Sequence, residues 1–150
     1  MSGCSIEFGS DNAEKAHAAL ITRNIPDLEV VIGSNTQLLI DYDQEELPQE
    51  RLDNGLSFLR ERVGKGELGY NTFRSGSGKH WHVVVEMPIE MTELERITWQ
   101  LIFGSDHKRD ALSVIGINRM VKNPILLFMH KNKKPEMSYS VPEKPARKFK

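Results

Sequence analysis

Two short stretches hold the side chains best suited to chemistry. The first is Asp41 and Asp43, at the end of the aliphatic run Thr36-Gln-Leu-Leu-Ile-Asp-Tyr-Asp43, which reads as a strand. Residues two apart on a strand share a face, so the two carboxylates point the same way. Such a pair repels itself unless solvent or a cation relieves it, and magnesium or manganese takes oxygen ligands of this kind. The plainer alternative is a strand end running into the polar loop Gln44-Glu-Glu46. The second stretch is Ser75-Gly-Ser-Gly-Lys-His-Trp-His-Val-Val-Val-Glu86, a Gly/Ser turn with a lysine that leads into a strand. Alternation puts His80, His82, Val84 and Glu86 on one face and Trp81, Val83 and Val85 on the other. The second set suits a core. The first is polar and chemically competent.

These residues need a scaffold, and the order of elements predicts one. Asp11 caps a helix over Asn12–Arg23, which Pro26 stops. Leu28–Ile32 is a short β-like run. Strand Thr36–Asp43 follows, then a helix from Pro48 to about Val63, ended by Gly64-Lys-Gly66. Leu68–Arg74 and Lys79–Met87 are strands, the latter closed by Pro88. Thr92 and Glu95 form a capping box for a helix whose apolar stripe is Leu94, Ile97, Leu101 and Ile102. The segment after Gly104 is ambiguous, and Pro124 introduces a last strand, Ile125–Met129. From residue 36 to 130 the sum is β-α-β-β-α-β, the ferredoxin-like order that RNA-recognition domains share. The expected class is therefore α+β, an RRM-like βαββαβ antiparallel sheet with an N-terminal helical extension. In that fold the first and third strands are the central pair, side by side and antiparallel. Asp41 and Asp43 then neighbour His82, with cross-strand Cβ atoms about 5 Å apart. Both helices cover one face, while Asp41, Asp43, His80, His82 and Glu86 gather on the open one.

Composition bounds the rest. The chain has 150 residues, 39% hydrophobic and 27% charged, with net charge −1. That suits one globular domain with a true core. The expected division is residues 1–35 as a helix and short strand packing on the core, 36–130 as the core, and 131–150 as a basic, Pro-rich flexible tail. Such a tail could grip a phosphate backbone weakly or simply solubilise the end. No apolar run approaches the roughly 20 residues of a membrane span. Neither a signal peptide nor a disulfide is expected, since Cys4 stands alone, and the expected location is cytoplasmic.

The motifs taken together resemble the archaeo-eukaryotic primase superfamily, the primase–polymerases, over about Thr36 to Phe128. Ile40-Asp41-Tyr42-Asp43 is similar to that family's hydrophobic-Asp-hydrophobic-Asp strand end. Ser77-Gly-Lys-His-Trp-His82-Val is similar to its Ser/Gly turn leading to a strand histidine. Gly104-Ser-Asp106-His-Lys-Arg109-Asp110 is the best match to its later acidic motif, although Asp106 also reads as the N-cap of another helix. The resemblance implies a nucleotidyltransferase of DNA replication or primer synthesis that uses Mg2+ or Mn2+. Asp41 and Asp43 would hold metal, with Asp106 completing the set or Glu86 or Asp110 in its place. His82 would contact the triphosphate, helped by Ser77, Lys79 and the backbone N–H groups of the turn. Lys108 and Arg109 would offset further phosphate charge. Catalysis would rest on Asp41, Asp43, His82 and Asp106. Implied partners are a nucleoside triphosphate, single-stranded or primed DNA, and a helicase or other replication protein. The chain is short for this superfamily.

Two other readings compete. His80-Trp81-His82 is also the His-hydrophobic-His of HUH nicking endonucleases, where paired histidines bind a metal and a downstream tyrosine attacks the scissile phosphate. Of Tyr42, Tyr70 and Tyr139, only Tyr139 lies downstream. A non-catalytic RRM-like nucleic-acid binder would instead show aromatics on the open face. His17 and Trp99 read as surface or packing residues; so do His107 and His130, with contact to substrate as their alternative.

Overall fold

The computed structural model describes residues 6–131 and 133–143; Cys4 lies outside them. The described residues form an α+β fold with four helices and two antiparallel sheets. In order the elements are α1 (Asn12–Thr22), β1 (Leu28–Val31), β2 (Gln37–Tyr42), α2 (Gln49–Val63), β3 (Leu68–Arg74), β4 (Trp81–Glu86), α3 (Glu93–Ile102), α4 (His107–Asn118), β5 (Leu127–His130) and β6 (Met137–Val141). Local chemistry sets most boundaries. The Asp11 side chain accepts from the N–H groups of Ala13 and Glu14 at the start of α1, and Thr92 with Glu95 closes a reciprocal capping box on α3.

The main sheet has the order β2-β4-β3-β6, and β1 pairs with β5 as a separate ribbon. The predicted pairing of β2 with β4 is present and antiparallel, in the register Asp41↔His82. Alternation then sorts the sheet into two faces. On one, Leu38, Ile40, Tyr42, Leu68, Tyr70, Val83 and Val85 pack against Leu52, Leu56 and Leu59 of α2. Leu52 and Leu59 are fully buried, and each contributes about 1.5–3 kcal/mol of transfer free energy. On the other face, Leu39 and Val84 pack with Ile125, Leu127 and Met129, joined by Val31 of β1 and by Val114 and Ile117 of α4.

The element order is roughly compatible with βαββαβ, but the arrangement departs from the expectation in four ways. First, the last strand of the unit, β5, does not join β2. The free edge of β2 is occupied instead by side chains from α3, α4 and the turn between them. Arg96 Nε donates to the Gln37 carbonyl at 2.8 Å, and Gln100 Oε1 accepts from the Leu39 N–H at 3.0 Å. Arg109 donates to the Leu39 carbonyl. Ser105 Oγ accepts from the Asp41 N–H at 2.9 Å, and the Asp106 N–H donates to the Asp41 carbonyl at 2.9 Å. Every polar group along that edge is satisfied without a strand, which is why buried Arg96, Gln100 and Ser105 sit there. So β2 is an edge strand and not a central one.

Second, the face bearing the histidines is not open along its length, because the β1–β5 ribbon covers the half around Leu39 and Val84. Third, α3 lies along the β2 edge and feeds both cores, with Ile97 buried but Leu94, Leu101 and Ile102 exposed. The stripe read from the sequence therefore overestimates what α3 buries. Fourth, the segment assigned to a flexible tail contains β6, which pairs with β3 from Thr72↔Met137 to Leu68↔Val141. Buried Arg60 ties it down by donating to the carbonyls of Val141 and Pro142. Among the described residues no helix is long and apolar enough to cross a membrane.

Candidate functional site

The site is built where the uncovered end of β2 meets the start of β4. The register places His82 directly across from Asp41. His80, one residue before the strand, reaches the same group. Its Nδ1 lies 3.3 Å from Asp43 Oδ1 and 3.8 Å from Asp41 Oδ1, and His82 Nε2 lies 3.7 Å from that same Asp41 oxygen. Asp41 Oδ1 is buried and has no hydrogen-bond partner. A buried, unpartnered carboxylate oxygen is costly. Burial pushes the Asp41 carboxyl above its usual range, with Arg109 and His80 pulling the other way. Burial, reinforced by the positive Arg109 and by His80, lowers the His82 imidazole to about 4. His82 is therefore neutral near pH 7 and can donate one hydrogen bond without bringing charge.

The acidic motif after α3 arrives at the same place. Gly104, at φ +73°, turns the chain out of α3, and the Ser105–Asp106 pair docks on the backbone of Asp41. Asp106 is the N-cap of α4: its Oδ1 accepts from the N–H groups of Lys108 and Arg109 at 3.0 and 3.4 Å. The acidic motif thus brings Asp106 to the end of β2, where its negative charge adds to that of Asp43 in raising the Asp41 carboxyl. Arg109 stands behind them, with Nη2 on Ser105 Oγ at 2.9 Å and on Asp110 Oδ1 at 3.3 Å, and with a buried Nη1 that lacks a partner.

A cavity of about 510 Å³ opens beside this cluster. Asp41, His80, His82 and Arg109 form one side, and Ser75, Gly76 and Ser77 form the rim. The apolar wall includes Phe73, Leu127, Phe128 and Met129. The rim turn is organised from within. Gly78 donates to the Ser75 carbonyl, His80 N–H donates to Ser75 Oγ, and Lys79 N–H donates to Ser77 Oγ. Among the described residues nothing accepts from the N–H groups of Gly76 and Ser77, so these two donors of the turn remain available at the cavity. Gly76 lies against the His130 imidazole, so a side chain there would have to displace that ring.

Not every candidate joins the site. Glu86 sits at the far end of β4 and accepts from Gln37 Nε2 at 2.6 Å. Asp110 is fully buried, its carboxyl raised by burial and bonded to Gln100 and Arg109. Lys79 and Lys108 are exposed and do not line the cavity. His130 and Lys133 do line it: of the two readings of His130 the cavity position fits substrate contact, whereas Lys133 reads in the sequence as part of a solvated charge run, and both follow from the β1–β5 ribbon, whose pairing is non-local. His17 and His107 are exposed, and Trp99 packs edge-on to Phe58 at 6.0 Å.

Among the described residues no group of three or more His, Cys, Asp or Glu side chains already encloses a metal-sized position. The donor chemistry nevertheless fits a divalent cation. Asp41 Oδ1 is orphaned, Asp43 is two-thirds exposed and free to turn, and both carboxylates face imidazole nitrogens within 4 Å. Comparison with protein-family models, with curated proteins and with solved structures finds no match.

Proposed function

We propose that this protein is a metal-dependent nucleotidyltransferase of primase–polymerase type, built on an RRM-like core and acting on a nucleoside triphosphate and single-stranded or primed DNA. One observation carries the reading. The buried, unpartnered Oδ1 of Asp41 lies between His80 and His82, beside a nucleotide-sized cavity rimmed by the Gly76 and Ser77 N–H groups.

Asp41 and Asp43 would hold Mg2+ or Mn2+, with Asp106, the N-cap of α4, as the proposed third carboxylate. Bound there, the cation supplies charge neutralisation for the triphosphate and acidifies a primer 3′-hydroxyl. The chain's own groups do the rest. The N–H groups of Gly76 and Ser77, on the rim turn, would take phosphate oxygens. Neutral His82 adds a hydrogen bond, and Arg109 adds positive charge from behind the carboxylates. Phe73, Phe128 and Met129 give the nucleoside an apolar surface. Phosphoryl transfer asks for positioning and charge compensation more than for covalent help, so this inventory is sufficient.

The tyrosines argue against nicking chemistry. Tyr42 and Tyr70 are buried on the α2 face, and Tyr139 pairs with Tyr70 on that same face, its ring 5.7 Å away. All three are across the sheet from His80 and His82. A bare base-stacking platform is disfavoured because the ribbon covers half of the histidine face.

The test is incorporation of nucleotides on primed and unprimed single strands by the full chain with Mg2+ or Mn2+. A parallel arm measures metal-dependent nucleoside triphosphate binding. Asp41→Asn and Asp43→Asn should each lower incorporation about a thousandfold while the chain stays folded. Activity that survives both changes, or a covalent tyrosyl–DNA adduct, would sink the reading. So would a wild-type chain that neither incorporates nor binds nucleotide with metal.

A further inference from the structure

The position best placed to distinguish between cations at this site is His80, which the primase-like motif does not use. We infer that His80 is a metal ligand and that it makes the site selective for manganese over magnesium. The inference rests on the proposed metal site and adds to it one residue and one preference.

The geometry is specific to this histidine. Of the two imidazoles, only His80 is near both carboxylates, through a single atom, Nδ1, at 3.3 Å from Asp43 Oδ1 and 3.8 Å from Asp41 Oδ1. Ligands adjacent to one another around a six-coordinate cation, with bonds of about 2.1 Å, lie roughly 3 Å apart. The Asp43–His80 separation is close to that, and a small rotation of exposed side chains closes it. His80 is 39% exposed and Asp43 is 67% exposed, so both can move without disturbing the core. His82 is different. It is mostly buried, it faces Asp41 alone, and its neighbours include Arg109 and Lys133.

The backbone keeps His80 in place. The turn presents it rather than the strand: His80 N–H donates to Ser75 Oγ at 3.1 Å, and the His80 carbonyl accepts from the Ser75 N–H at 2.9 Å. The residue that would ligate the cation is thus anchored to the same Ser75–Gly78 turn whose free N–H groups rim the cavity. Chemistry then fixes the preference. Magnesium keeps an oxygen shell and sheds water reluctantly, whereas imidazole nitrogen suits the later divalent ions and manganese accepts mixed nitrogen and oxygen ligands. Two carboxylates alone would favour neither strongly. Two carboxylates with a pre-placed imidazole favour manganese.

The experiment titrates Mn2+ and, separately, Mg2+ into the full metal-free chain at pH 7.5. Affinity is read by calorimetry, and the bound Mn2+ is examined by pulsed electron paramagnetic resonance for coupling to imidazole nitrogen-14. Wild type should bind Mn2+ at least about tenfold more tightly than Mg2+ and show the nitrogen coupling. His80→Ala should lose about tenfold or more in Mn2+ affinity, keep its Mg2+ affinity within about twofold, and lose the coupling. His82→Ala should retain the coupling. If the coupling persists in His80→Ala and disappears in His82→Ala, the ligand is His82 and the inference is wrong. If Asp41→Asn with Asp43→Asn removes Mn2+ binding while His80→Ala changes nothing, the inference fails and the carboxylate site stands. If wild type binds neither ion, with or without nucleoside triphosphate, both fall together.

Discussion

The two halves of one sheet face make an instructive contrast. Gln37, Leu39 and Asp41 alternate along β2, and His82, Val84 and Glu86 along β4, all on the side away from α2. Around Leu39 and Val84 this face is core, closed by the β1–β5 ribbon and α4. One residue pair further on, around Asp41 and His82, the same backbone pattern carries polar groups beside a cavity. Strand periodicity alone does not separate these halves. What separates them is where the ribbon ends, and therefore which pleats keep their water and which lose it. The first half contributes stability. The second holds a carboxylate whose charge the fold disfavours, as expected for a group kept for chemistry rather than for folding.

That contrast can be broken most forcefully by swapping its two ends. Leu39→Ala removes a fully buried side chain from the closed half, and a loss of about 2–5 kcal/mol is expected in urea denaturation. Asp41→Asn, two residues away on the same face, should leave the midpoint unchanged or raise it in metal-free buffer, because it removes a buried charge that burial already penalises. If both substitutions destabilise alike, the open half is ordinary core and the distinction drawn above is wrong.

A second, smaller effect tests why the sheet stops at β2. Arg96→Met keeps length and apolar contact but removes the donors to the carbonyls of Gln37 and Ile32. Two part-buried acceptors then lose partners, and a cost of about 1–2 kcal/mol is expected. Hydrogen exchange should quicken along β2 and the β1–β2 connection before it quickens in α2. Uniform loosening would mean that the side-chain edge does not specifically hold β2.

How much of this was legible in advance follows the range of the interactions. Asp11, the Thr92–Glu95 box and the β3 limits Leu68–Arg74 rest on contacts a few residues long, and the sequence displays them directly. The adjacency of Asp41 and His82 was legible too, because the ferredoxin-like fold that the element order suggests pairs its first and third strands. The rest depended on distant partners. Helix α4 lacks a clear apolar periodicity and buries Asp110, Ser113 and Gly116, so only the cap Asp106 announced it. The ribbon pairs Leu28 with His130 across most of the chain, a match that short apolar runs cannot advertise. Strand β6 is polar and lies mostly exposed on the sheet edge, held by Arg60 rather than by a hydrophobic signature. Consequently Asp41, Asp43, His82 and Asp106 were visible as candidates and His130 only as a minor one, whereas Lys133 and the structural use of Arg109 and Asp110 were not.

The smallest expected effect is the acid response of the open half, and it has a definite sign. Burial lowers the His82 imidazole from 6.5 to about 4, with Arg109, His80, Lys133 and His130 acting in the same direction. Between those two values the unfolded chain holds a proton that the folded chain does not. The contribution of His82 is therefore complete above about pH 6.5 and is lost as the pH falls toward 4. Asp41 and Asp110 are shifted upward by burial, so they work oppositely: their contribution is complete below 3.8 and fades as the pH rises through their raised values. In metal-free buffer from pH 7 to 4, wild type should therefore lose stability more steeply than His82→Phe, by on the order of 1 kcal/mol over the window. The His82 proton resonance should titrate near 4 rather than near 6.5. A resonance that titrates near 6.5, with parallel acid limbs for the two proteins, would mean that water reaches His82 freely. The boundary between closed and open halves would then lie further toward Val84.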